Sequence, residues 1–253
     1  MKLIKSLCIA FAMYSKIPVP QFEWKEEDMK YSLCFFPLVG GVIACCFLLL
    51  KNTADILELG TCSVTLLLAA LPLLITGGIH IDGYMDTMDA IHSYQEKEKK
   101  LEILKDPHIG AFSVIMLVLY YLIYLAALSE LKEIQAVEMT AAGFVLSRTL
   151  AAAGLLTLKP AKKNGLLRIF ADTASKKIVL AVLALEGCLC IAGMMILSPL
   201  VACFILGSLV LWYIYYKHLC YKEFGGVTGD TSGYFITICE LIIVIMSVIG
   251  FRL

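Results

Sequence analysis

Seven runs of apolar side chains, each close to the length of a bilayer-crossing helix, constrain this chain before anything else does. A helix rises about 1.5 Å per residue, so about 17–25 apolar residues span the hydrocarbon core. The runs cover about 33–50, 61–79, 109–128, 138–158, 178–197, 199–216 and 233–251. They are continuous rather than alternating, which favours helices over the strands of an outer-membrane barrel. In lipid each backbone amide and carbonyl needs a partner within the protein, and a helix supplies one. The expected fold is therefore all-α: a polytopic integral membrane bundle of about seven transmembrane helices, forming one domain over residues 1–253. Composition agrees. Of the 253 residues 60% are hydrophobic and 17% charged, whereas about a quarter are charged in a soluble domain. An ordinary soluble enzyme, a disordered chain and a nucleic-acid binder working through bulk positive charge are excluded.

The net charge is zero, from 21 basic and 21 acidic residues, but the distribution is one-sided. Of the Lys and Arg outside the runs, 17 fall on the N-terminal segment and alternate loops, against three on the other side. The positive-inside rule then places the N-terminus and the loops 80–108, 159–177 and 217–232 in the cytoplasm, with the C-terminus outside. The chain is expected in the cell (cytoplasmic) membrane, with the lipid bilayer as a partner. The short apolar run Leu7 to Tyr14 leads into Lys16, Pro18 and Pro20 without a small-residue cleavage site, so residues 3–14 read as an interfacial helix. Most of the ten cysteines lie inside the runs with no CxxC or zinc spacing, and they read as reduced packing residues.

The most informative stretch follows the second run: Gly77-Gly78-Ile79-His80-Ile81-Asp82-Gly83-Tyr84-Met85-Asp86-Thr87-Met88-Asp89. Asp82, Asp86 and Asp89 stand at i, i+4 and i+7, so on a helix they share one face. Three like charges repel there unless a cation holds them, and hard oxygen ligands suit Mg²⁺ or Mn²⁺ together with a substrate phosphate. Gly83 is expected to leave room for a close ligand. The competing reading is a solvated acidic helix face. Ile79, Ile81, Tyr84 and Met88 weigh against it, because they set the acids against apolar structure. His80, His92 and His108 flank the stretch and rank below the aspartates, since a lone histidine is more often a hydrogen-bonded structural residue.

A second constellation, Gly225-Gly226-Val227-Thr228-Gly229-Asp230-Thr231-Ser232-Gly233, opens the last run. Glycines let a backbone approach an anion, and the start of a helix offers free N–H groups. The GK[ST] ending of a P-loop is missing. A flexible turn is the alternative, and Asp230 tilts the balance toward a metal bridging acid and phosphate. Arg148 and Glu240 lie within apolar runs, where charge is costly. They read equally as a mutual ion pair or as substrate contacts. The basic stretch Lys159 to Leu166 either fixes topology alone or also attracts a polyanionic substrate. Together these residues point to metal-assisted transfer of a phosphate-linked group at a membrane surface. No Ser-His-Asp elbow, nucleophilic cysteine motif or dinucleotide fingerprint appears.

With those residues in hand, the chain resembles the cobalamin synthase family, the adenosylcobinamide-GDP ribazoletransferases. The resemblance covers nearly the whole chain, in order. It runs through Phe36-Pro37-Leu38-Val39-Gly40, Gly77-Gly78-Ile79-His80 and Asp82-Gly83-x-x-Asp86-Thr87-x-Asp89. It continues through Lys100 to Asp106, Ile109-Gly110-Ala111, Ser147-Arg148 and Asn164-Gly165-Leu166, and ends at Gly225 to Gly233 with Glu240. Departures fall at Met85, Met88, Ala90 and Tyr234. The resemblance implies that adenosylcobinamide-GDP and α-ribazole, or its 5′-phosphate, are joined to give adenosylcobalamin, or its 5′-phosphate, and GMP. It implies that Asp82, Asp86 and Asp89 hold Mg²⁺ on the diphosphate, with Mn²⁺ as a substitute. Lys105, Asp106, Gly83, Arg148, Glu240 and the loop residues Gly225, Gly226, Thr228, Gly229 and Thr231 would contact substrate, and Asp230 or His80 would orient the nucleophile. A homo-oligomer or other enzymes of the corrinoid pathway are the protein partners it allows, and nucleic acid is not one.

Three rivals carry different signatures. A CDP-alcohol phosphotransferase would follow its DG with Ala-Arg, where Met85-Asp86 stand here. A UbiA-like prenyltransferase would need a second DxxxD run. A cation transporter would spread its acids through the spans.

Overall fold

The computed structural model describes residues 2–161 and 173–253. The expectations placed on Lys162, Lys163, Asn164, Gly165 and Leu166 lie outside the described residues. Within them the chain is helical: α1 (Lys2–Tyr14), α2 (Glu26–Met29), a 3₁₀ turn (Ser32–Phe35), α3 (Phe36–Ile56), α4 (Thr61–Thr76), α5 (Ile79–His92) and α6 (Lys97–Ile103). There follow α7 (Ala111–Ser129), α8 (Ile134–Thr157), α9 (Lys176–Leu197), α10 (Pro199–Glu223) and α11 (Gly229–Gly250). Among the described residues six helices are long and apolar enough to cross a membrane: α3, extended back through α2 and the 3₁₀ turn, and α7 to α11.

The second expected span differs. The run 61–79 does not continue as one straight helix, because α4 ends at Thr76 and α5 departs at 94° to it. The cause is local. Gly77 (φ +69°) and Gly78 (φ +83°) both occupy the left-handed region, where a side chain is strained. Gly77 closes α4 by donating to the Leu73 carbonyl at 2.8 Å, and Gly78 opens α5. A bent α4–α5 pair makes at most a seventh crossing. Helix α5, which carries the acidic stretch, is not by itself among the six.

Helix α8 is the axis of the bundle, packed by α3, α9 and α11 and buried along most of its length. Its sequence explains this. Ala141, Ala142, Gly143, Ser147, Ala151, Ala152 and Gly154 let neighbouring backbones approach closely, the usual basis of helix packing in lipid. A Cβ on Gly40 of α3 would fall 2.2 Å from the Phe144 carbonyl oxygen of α8. The outer helices show the opposite pattern. Ile115, Val118 and Leu122 of α7, Leu185 and Leu189 of α9, and Val210, Leu211 and Ile214 of α10 are exposed, as lipid-facing side chains are. All ten cysteines are free.

Candidate active site

The site is built where α5 crosses α11, and the crossing is made by glycines. A Cβ on Gly83 would lie 2.7 Å from the Asp230 carbonyl oxygen and 3.0 Å from its Cα. A Cβ on Gly233 would lie 2.8 Å from the His80 carbonyl oxygen and 3.3 Å from the Gly83 Cα. Thr237 fastens the crossing by donating its hydroxyl to the His80 carbonyl at 3.3 Å. The space a Gly83 side chain would take is filled by the α11 backbone, and Gly83 itself lines the cavity beside the crossing. The glycine serves the helix approach that brings Asp82 and Asp230, distant in sequence, to one cavity.

That cavity measures about 210 Å³, and His80, Asp82, Asp230 and Ser232 supply its polar lining. Met13 and Tyr14 of α1, Phe36 and Leu155 form apolar wall. Sequence reasoning passed over the α1 contribution, because an interfacial helix gives no chemical signal of its own. His80 is buried, its ring edge-on to Phe36 at 5.8 Å, and its Nε2 has no hydrogen-bond partner. His92 is structural, with Nδ1 at 2.8 Å from the Met88 carbonyl and its ring stacked on Phe112.

The four acids divide. Asp82 is exposed and Asp86 half-buried. Burial first, then the charges of Asp82, Asp230 and Asp89, push the Asp86 carboxyl up to about 7. Asp89 leans away: its carboxylate oxygens occupy the space a Cβ on Gly110 would take, at the start of α7. Among the described residues no three His, Cys, Asp or Glu side chains converge as a preformed metal centre. Asp89 rests against Gly110 at the start of α7, while Asp230 enters from α11 to the cavity that Asp82 lines. Two carboxylates on one cavity still suit Mg²⁺, which keeps several waters and takes one or two acids plus substrate phosphates.

This crowding sets a pH dependence. The Asp86 carboxyl binds its proton more tightly when folded than at its ordinary value of 3.8. Between those values the folded state holds more protons than the unfolded state, so stability without cation falls as pH rises toward about 7. A divalent cation should offset this, and the Mg²⁺-induced rise in Tm should grow from about pH 5 to about pH 8. A Tm gain that is flat across that range would contradict the clustering of charge.

The glycine-rich loop is more self-contained than an open phosphate cradle. Gly225 takes φ +74° and turns the chain out of α10. Gly226 packs on Lys159 and Pro160, where a Cβ would lie 2.5 Å from the Lys159 carbonyl oxygen. The Gly226 amide donates to the Cys220 carbonyl, and the Val227 amide to that of Lys159. Thr228 and Thr231 form a reciprocal capping box at the start of α11, at 3.1 and 2.9 Å. These side chains and amides are committed to holding α11, which leaves Gly229, exposed, with Asp230 and Ser232 as the loop's face to the cavity. The Thr228 hydroxyl also lies 3.4 Å from an Asp230 carboxylate oxygen.

Three more expectations are relocated. Arg148 is 0% exposed, and its Nη1 donates to Glu240 Oε1 at 2.6 Å, so the two form a buried ion pair rather than facing the cavity. They line a separate pocket of about 20 Å³ with His80 and Tyr124, room for about one water. The residues that line it carry four buried atoms with no hydrogen-bond partner: Arg148 Nε and Nη2, His80 Nε2 and the Tyr124 hydroxyl. Lys105 is exposed on the turn after α6 and does not line the cavity. Asp106 binds the backbone amide and then the ring of His108, which hold its carboxyl below the usual range. Helix α6 itself is anchored by a buried ion pair of Lys100 with Glu223 of α10.

Residues 6–248 match the family described as cobalamin-5-phosphate synthase. A protein of Lachnoclostridium phytofermentans named adenosylcobinamide-GDP ribazoletransferase is 45% identical over 241 residues, covering 95% of this chain and 92% of that one. Proteins of the same name from two Clostridium botulinum strains are each 31% identical over 242 residues, covering 95% of both chains. No solved structure matches the chain.

Proposed function

The chain belongs to the cobalamin-5-phosphate synthase family, and from that premise we propose that it is a membrane transferase joining adenosylcobinamide-GDP to α-ribazole or α-ribazole 5′-phosphate. The products are adenosylcobalamin, or its 5′-phosphate, and GMP. A ribose hydroxyl oxygen of the acceptor forms a bond to the phosphorus that carries cobinamide. The bond from that phosphorus to the bridging oxygen breaks, and GMP leaves with that oxygen. The hydroxyl proton passes to a carboxylate, for which Asp230 is placed on the cavity wall beside Asp82. The observation that carries this reading is the convergence of Asp82 and Asp230 on one cavity in a chain that matches the family over nearly its whole length.

Asp82 and Asp230 would hold Mg²⁺ against the diphosphate, with Asp86 behind them. When bound, the ion neutralises phosphate charge and polarises the P–O bond. The chain's own part is positional. The Gly83–Gly233 crossing brings Asp82 and Asp230 to one cavity, Met13, Tyr14 and Phe36 give it an apolar side, and His80, which also lines it, would orient the acceptor. We place this cavity at the cytoplasmic face, from the one-sided basic loops.

Membranes containing the protein should release labelled GMP from adenosylcobinamide-GDP when α-ribazole and Mg²⁺ are supplied, with a corrinoid product bearing the lower ligand. Absence of release from a correctly folded preparation would overturn the assignment. A cation-transport reading would need acids spread through the spans, whereas the charges of Asp82, Asp230 and Asp89 all bear on Asp86.

A further inference from the structure

Asp82 lines two chambers. The second measures about 520 Å³ and shares Met13, Ile79 and Asp82 with the cavity described above. Its remaining wall comes from the end of α1 and the α4–α5 break, including Ser15, Lys16, Thr76 and Gly77. The polar groups of that wall are mostly satisfied from within. The Ser15 hydroxyl donates to the Phe11 carbonyl at 2.7 Å, and the Thr76 hydroxyl to that of Pro72 at 2.7 Å. The Lys16 amide donates to the Ile75 carbonyl at 2.7 Å, which ties the segment after α1 to the end of α4.

The Lys16 side chain is exposed, and what sets it apart is where its stem lies. Its stem lies over Gly77, with Cε, Cγ and Cδ at 2.3, 2.7 and 3.0 Å from where a Cβ would stand. The missing side chain of Gly77 is the groove in which the lysine lies. Like several other exposed lysines it is in no ion pair among the described residues, but it alone of them lines this chamber. An unpaired cation with a seated stem, on the wall of a chamber that also holds Asp82, suits an anionic ligand. The volume falls within the roughly 300–1,000 Å³ of small-molecule sites. The chamber is open to solvent along Lys16, Gly77 and Asp82, and its size suits a nucleotide-sized molecule.

We propose that this second chamber binds a nucleotide-sized phosphate ester and that Lys16 contacts its phosphate. The inference rests on the phosphoryl-transfer reading above and extends it. Attack and departure at phosphorus lie roughly in line, on opposite sides of the reacting centre. Two chambers meeting at Asp82 give one side to the acceptor and the other to the leaving group. The ester at Lys16 is then either the 5′-phosphate of the acceptor or the GMP half of the donor.

Lys16→Met keeps an apolar stem over Gly77 and removes the charge, whereas Lys16→Arg keeps a charge. GMP and α-ribazole 5′-phosphate would each be titrated into the purified full-length protein with Mg²⁺, and KM measured for donor, α-ribazole and α-ribazole 5′-phosphate. Lys16→Met should weaken one ester about ten- to a hundredfold, as loss of a charged hydrogen bond does, and Lys16→Arg should recover most of it. Weakening confined to α-ribazole 5′-phosphate, with α-ribazole unaffected, assigns the acceptor. Weakening of GMP and a raised donor KM assign the leaving group. Wild-type affinities and KM values in Lys16→Met, no binding of either ester by the wild type, or equal failure of Lys16→Arg would overturn the proposal. Lys16-dependent binding without GMP release would instead uphold the chamber and overturn the reaction.

Discussion

Asp82→Asn should lower kcat for GMP release by about 10²–10³ or more, the scale seen when a group stabilising transition-state charge is removed. Asp230→Asn should do the same, and the double variant should be little worse than either single one, because residues acting as a unit are not additive. Asparagine keeps the shape and loses the charge. Asp82 is exposed, so folding should be indifferent to the change there. Its carboxylate faces both chambers, and Asp230 faces the first of them across the Gly83 crossing. Asp89→Asn should cost much less, since that carboxylate rests on Gly110 at the start of α7. The ranking discriminates sharply. A triad built on the helical spacing alone would make Asp89 as sensitive as Asp82. Full activity in Asp82→Asn, with unchanged expression and helix content, would remove the site from this locus altogether.

The ranking also marks where sequence reasoning reached and where it stopped. Span positions were readable because each residue's environment in lipid depends on its own hydropathy: α7 (Ala111–Ser129) and α9 (Lys176–Leu197) fall within a few residues of their runs. The break at Gly77-Gly78 was hidden, because apolar composition continues across it while backbone conformation does not. The α5–α11 crossing was also hidden. Gly83 and Gly233 are 150 positions apart, and only packing shows that each glycine makes room for the other helix. Periodicity placed Asp82, Asp86 and Asp89 on one face, but which neighbours meet that face is a tertiary fact. Lys16 carried a faint signal, a lone cation between an apolar run and Pro18, and gained meaning only once α1 was seen beside Asp82.

Arg148→Met should destabilise the protein by about 3–5 kcal/mol, because it leaves the Glu240 carboxylate buried with no cation. Replacing both, Arg148→Met with Glu240→Met, should recover most of that loss, since an apolar pair of similar volume needs no compensation there. Thermal unfolding of the purified protein in detergent measures both. Equal damage from the single and double variants would mean that the pair is not the source of the cost. The pair's position then makes activity the more informative reading. It joins α8 to α11 ten residues beyond Asp230, about 15 Å along the helix, and so limits how α11 can rotate. It also borders His80 through the small polar pocket that Arg148, Glu240 and His80 all line. A double variant that regains stability while turning over more slowly, with KM unchanged, would show that the buried charges orient Asp230 and His80. Stability and turnover recovering together would confine the pair to holding α8 and α11.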